Sequence, residues 1–129
     1  MANELTVEQN EEIESLKRQI QEREDLIGNY KESIELNKVY QKLKESKEYQ
    51  EIIEKGYIEE AKRLGDAMIN PTIMKKEVFE ELTEQFHAIR LLKRYLMYIE
   101  NDAKLAEHYL QTEIDNLEAD KAELRRLEA

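Results

Sequence analysis

The chain has no cysteine, no tryptophan, a single proline and only three glycines in 129 residues. Without cysteine it has no disulfide framework and no thiolate metal site, and a reducing, cytoplasmic compartment is the natural expectation. So few breakers leave long helices as the economical use of the chain. Long apolar runs are missing too. The longest is Tyr95-Leu96-Met97-Tyr98-Ile99, far short of the ~20 residues that span a membrane. Residues 1–25 are acidic and lack an apolar stretch, so no secretory leader is expected.

What remains is charge. Charged residues make up 39% of the chain and the net charge is -10, with a mean hydropathy of -0.83. Unfolded chains share these values, so the spacing of the apolar residues has to separate helix from disorder. Both halves are acidic, which disfavours binding to phosphate backbones.

The spacing is helical. Ile13, Ile20, Ile27 and Ile34 fall seven apart, with Leu16, Arg23, Tyr30 and Asn37 at the companion heptad position. This predicts a first helix over residues 5–45 with an imperfect seam, because polar groups occupy companion positions. Gly28 sits beside that seam. Tyr49, Ile52, Ile53, Tyr57, Ile58, Ala61, Leu64 and Met68 predict one short helix over 47–69, with Ser46 as its cap. Asn70-Pro71-Thr72 predicts a sharp reversal.

The last segment carries the clearest pattern. Leu82, Ile89, Leu96, Ala103, Leu110, Leu117 and Leu124 recur every seven residues without a break. Companions stand three or four residues on, among them Phe86, Leu92, Ile99, Ala106, Ile114 and Leu127. A helix over 71–128 follows, and disorder does not produce such a pattern. Between Val78 and Ile99 apolar residues also fall off the seam: Phe79, Leu91, Tyr95, Met97 and Tyr98. A helix apolar on most sides is surrounded by others, so the short middle helix is expected to cover it. The fold class is therefore all-α. Long amphipathic helices form a helical hairpin or bundle hub over about residues 36–99, with coiled-coil arms, in one domain of residues 1–129. The arms pair either within one chain or between chains, since a narrow seam left in water is unstable.

Chemistry finds little purchase here. Glu84-Gln85-Phe86-His87 matches the Glu-x-x-His pair of di-iron bundles, but His108, the only other histidine, has Leu105 where the second glutamate belongs. The glycines are isolated, so no phosphate-binding loop is present, and no serine has a histidine nearby in sequence. The abundant carboxylates read as hydrated faces supported by pairs such as Glu14/Arg18 and Glu51/Lys55. No catalytic, cofactor or metal site is expected.

Residues 85–99 invert the local charge. They hold no acid and three bases, Arg90, Lys93 and Arg94, among large apolar side chains that include Tyr95 and Tyr98. The simpler reading pairs these bases with the chain's own Glu51, Glu54, Glu59 or Glu60. The sharper one makes Arg90, Lys93, Arg94, Tyr95 and Tyr98 a partner surface, where Arg and Tyr commonly anchor contacts. Tyr49, Tyr57, Tyr95 and Tyr98 are, on the simpler reading, ordinary core.

The hub segment Tyr49-x-x-Ile52-Ile53-x-x-Gly56-Tyr57-Ile58, followed by Ala61, Leu64, Asn70-Pro71 and Ile89-x-x-Leu92-x-x-Tyr95, resembles small helical proteins encoded by tailed bacteriophages. That resemblance implies a scaffold, minor virion component or adaptor, in the host cytoplasm or the virion, and brings no catalytic residues. The expected function is a non-enzymatic structural or assembly protein. Its partners are itself, as a homo-oligomer joined along the 82–127 seam, or other structural proteins, with neither membrane nor nucleic acid. The alternative is an acidic helical binding module or inhibitor of a basic partner protein.

Overall fold

The computed structural model describes residues 6–68 and 75–129, and the reversal expected at Asn70-Pro71-Thr72 lies outside them. Among the described residues the fold is all-α, with no strand. Helix α1 spans Val7–Glu45, a π-helical segment spans Tyr49–Ile58, α2 spans Glu60–Ala67 and α3 spans Lys76–Glu128. None of these helices is long and apolar enough to cross a membrane.

Local chemistry sets the ends. The Thr6 hydroxyl accepts from the Gln9 backbone N–H at 3.1 Å while the Gln9 side chain accepts from Thr6 N–H at 2.9 Å. This reciprocal capping box satisfies two N-terminal donors and starts α1. Ser46 closes α1 and opens the next segment. Its hydroxyl donates to the Leu43 carbonyl at 2.6 Å and accepts from Tyr49 N–H at 3.1 Å, the capping role expected of it.

The single middle helix expected over 47–69 is two pieces. From Tyr49 to Ile58 the turns are wide, and the segment closes with Glu59 N–H donating to Glu54 C=O at 2.8 Å, five residues back. Such i→i+5 turns are uncommon beyond a single bulge. Burial shows why it forms here. Tyr49 and Ile58 are buried with Ile53 partly so, at intervals of four and five, while Ile52 is 66% exposed. The wide turn brings residues of that spacing to one face. At Gly56 a Cβ would stand 3.0 Å from the Glu51 carbonyl oxygen, so glycine accommodates the close approach.

Two compact units organise the chain. In the first, the described residues up to Glu35 pack with Asp102–Ala129. Ile20, Ile27 and Leu117 form its core, flanked by Leu16, Leu110, Ile114 and Leu124. Ion pairs Lys17–Glu128 at 3.4 Å and Lys121–Glu24 at 3.7 Å run with this seam, making the pairing antiparallel. Ala103 and Ala106, the small residues of the seam, are buried to 1% and 0% exposure. Gly28 is exposed, and a Cβ there meets nothing within 4 Å. Gly28→Ala is therefore expected to stabilise the protein by about 1 kcal/mol, read as a rise in Tm of roughly 3–5 °C. Gly56→Ala should give a smaller gain or a loss, because the Glu51 carbonyl opposes the same propensity gain.

The second unit, Leu36–Asn101, coincides with the hub expected over 36–99. Its core joins Tyr40, Tyr49 and Ile99, with Ile53 and Leu96 against them. Tyr40 and Tyr49 meet edge to face, ring centroids 6.3 Å apart, a favoured aromatic geometry. Leu64 and Ile89 are each 1% exposed. A Cβ at Gly65 would touch the Phe86 ring at 3.7 Å, an ordinary contact.

Candidate functional site

The seam residues take their places on covered faces. Ile13, Ile20 and Ile27 are buried, and Leu16 and Ile34 are partly so. On α3, Ile89, Ala103 and Leu117 are buried, while Leu82, Leu96, Leu110 and Leu124 are half-buried. In the first unit the partner of Leu110, Leu117 and Leu124 is α1 of the same chain.

Arg23, polar at a seam position, is the ionic centre of that unit. Its Nε donates to Asp120 at 2.6 Å and its NH1 group to Glu113 at 2.9 Å. Gln19 also donates to Asp120, at 3.0 Å. Its two acceptors lie seven residues apart, two turns of α3, so one guanidinium reads a specific pairing of the helices. The carboxylates raise the already high Arg23 pKa, through the Asp120 hydrogen bond first.

The off-seam residues of α3 did not find the cover expected of them. Phe79 and Phe86 are half-buried, but Leu91, Tyr95, Met97 and Tyr98 are 48%, 56%, 61% and 51% exposed. The π-helical segment and α2 reach the other side of the helix, at Leu92, Leu96 and Phe86. Nor do the bases pair with the chain's own acids. Glu51 sits 3.9 Å from Lys47, not Lys55, and Glu60 pairs with Arg63. Arg90, Lys93 and Arg94 have no carboxylate within ion-pair distance among the described residues. Arg94 instead donates to the Tyr98 hydroxyl at 2.9 Å, its guanidinium 5.8 Å from the ring centroid. His87, Arg90, Leu91, Lys93, Arg94 and Met97 together line a shallow surface depression.

No family model, curated protein or solved structure matches this chain. Its site is therefore read from its own residues. Glu84 and His87 are both exposed, and among the described residues no three His, Asp or Glu groups converge to hold a metal ion.

Two hollows of the second unit complete the inventory. Leu43, Tyr49, Ile52, Ile53, Leu92 and Leu96, with Glu48 at the margin, line an open apolar groove of about 400 Å³. A polar one of about 250 Å³ is lined by Tyr40, Lys44, Tyr49, Glu54, Lys93 and Glu100 among others. Lys44 spans this region, 3.2 Å from Glu100 and 5.8 Å from the Tyr40 ring centroid.

Of the five hub tyrosines Tyr40 and Tyr49 are core, while Tyr57, Tyr95 and Tyr98, expected there with Tyr49, are exposed. Tyr49 Oη has no hydrogen-bond partner among the described residues. Burial pushes its phenol up to about 12, and the neighbouring Tyr40 phenol adds to the shift. An unfolded tyrosine titrates near 10. Stability from keeping Tyr49 neutral is thus complete below about pH 10 and disappears as pH rises through about 12. Tyr49→Phe should leave Tm at pH 7 unchanged or slightly raised, since no hydrogen bond is lost. Between pH 10 and 12 the variant should melt increasingly above the wild type. Parallel Tm curves across that window would refute the assignment.

Proposed function

We propose that the chain is a non-enzymatic assembly or adaptor protein that works by packing its helices against a structural partner. The observation that carries this reading is the uncovered flank of α3, where Leu91, Tyr95, Met97 and Tyr98 are about half exposed or more beside bases that have no ionic partner among the described residues. Clustered apolar exposure of this kind marks protein contact sites, and Tyr and Arg are the side chains that most often anchor them. Taken with the sequence resemblance to tailed-phage proteins, the partner we propose is a component of virion architecture or assembly. Self-association along residues 82–127 is the less economical form, because Leu110, Leu117 and Leu124 already have α1 as their neighbour.

The test is a triple replacement, Leu91→Ser with Tyr95→Ser and Tyr98→Ser. All three side chains are about half exposed, so helicity and Tm should hold nearly constant. Co-sedimentation with the assembly that the wild-type chain joins in its producing cell should be lost. If the triple variant still co-sediments, assembly does not run through this face.

A further inference from the structure

We infer that the partner element seated on α3 between His87 and Tyr98 is an acidic amphipathic helix, an inference that rests on the adaptor reading above. Three features of the face select that chemistry. The first is charge. In a chain of net charge -10, residues 85–99 hold Arg90, Lys93 and Arg94 and no acid, and none of the three has a carboxylate within ion-pair distance among the described residues. A local cluster of one sign on a chain of the other is complementary to a carboxylate-bearing partner.

The second is preorganisation. The hydrogen bond and ring contact with Tyr98 hold the Arg94 guanidinium in place, so less side-chain freedom is lost when an acid docks. The third is the shape of the apolar part. Leu91, Tyr95 and Tyr98 recur at four and three residues, the stripe that one further helix covers. The face runs for about three helical turns, roughly 17 Å, a length suited to a helix-on-helix contact.

Other occupants fit less well. A second copy placed by a two-fold axis through this face would set Arg90, Lys93 and Arg94 against their own equivalents, and like charges across an interface cost affinity. An anionic bilayer gains only about 1 kcal/mol per base near the surface, and nucleic acid needs a broader basic footprint than three side chains. Here three bases are bounded along the same helix by Glu81, Glu84, Glu100 and Asp102.

The probe is a pair of synthetic helices of about 21 residues, Leu in the seam and either Glu or Lys beside it, with anisotropy as readout on the full chain. The Glu peptide should bind, and binding should weaken at least tenfold as salt rises from about 0.05 to about 0.5 M. Arg90→Glu with Lys93→Glu and Arg94→Glu should abolish it and confer binding to the Lys peptide. Equal binding of both peptides to the wild type, indifference to the charge reversal, or binding to phosphatidylglycerol vesicles without peptide binding would each overturn the inference. The cell-level assay separates this from the adaptor reading. Charge reversal without loss of co-sedimentation, beside loss in the Leu91, Tyr95 and Tyr98 serine variant, sinks the acidic partner and keeps the adaptor. Loss in neither variant sinks both.

Discussion

Leu117→Asp is expected to unfold the first unit. Leu117 is 8% exposed and packs with Ile20 and Ile27. A carboxylate at that point replaces an apolar contact with Ile20 and Ile27 and finds Arg23 already held by Glu113 and Asp120, so its burial costs more than a unit of this size can spare, about 4 kcal/mol or above. The chain should lose roughly half its helical ellipticity, because the unit holds long stretches of both α1 and α3. Hydrogen exchange should show the loss confined to residues before 36 and after 101, with Leu64 and Ile89 amides still protected. Leu105→Asp is the control. That leucine lies on the same helix but is 56% exposed, so Tm should barely move. Equal damage from both replacements would mean the seam is not the stabilising contact.

Arg23→Glu is the second large effect. It sets a third carboxylate between Glu113 and Asp120, where a cation had satisfied both. Breaking a partly exposed ionic centre and adding repulsion should cost roughly 2–4 kcal/mol, less than the full penalty of a buried pair because solvent reaches these groups. Arg23→Met should cost far less, since apolar replacement of an ion pair is often neutral. Its damage should appear in specificity. In the cysteine-free chain, Lys17→Cys with Glu128→Cys places two thiols on facing flanks of the seam, joined by ion-pair tips 3.4 Å apart in the parent, and a short bismaleimide can bridge them. Cross-linking should be quantitative beside Arg23 and partial beside Met. Equal yields would show that Arg23 has no part in fixing the pairing.

The features that were readable in advance are those that depend on local periodicity. Ile13, Ile20 and Ile27 on one helix and Leu110, Leu117 and Leu124 on the other advertise a seam, because only a buried stripe sustains apolar residues at such intervals. Ser46 could be recognised as a cap. So could Thr6 with Gln9, whose spacing is that of a capping box, although the helix start was placed without it. What escaped depends on distant pairing. Nothing local tells Arg23 that its acceptors stand at Glu113 and Asp120, about ninety residues on. The π-helical segment escaped for a different reason. Ile52 beside Ile53 supports an ordinary helical spacing, whereas the residues that are covered, Tyr49, Ile53 and Ile58, stand at intervals of four and five and call for a wider turn. The candidate face was visible as a charge inversion at 85–99. Its exposure was not, because composition cannot distinguish an apolar flank that is covered from one that is bare.

Arg23's grip on two carboxylates seven residues apart also governs how the length of this protein can drift. Insert or delete one, two or three residues between Glu113 and Asp120, and the second acceptor rotates away from the guanidinium while Leu117 and Leu124 fall out of step. A whole heptad returns the apolar seam to its azimuth, but between these two carboxylates it would double their separation along α3 to about 21 Å, beyond the span of one guanidinium. Changes of length are thus quantised outside this window and closed within it: the seam accepts sevens, matched on both helices, only where Glu113 and Asp120 stay seven residues apart.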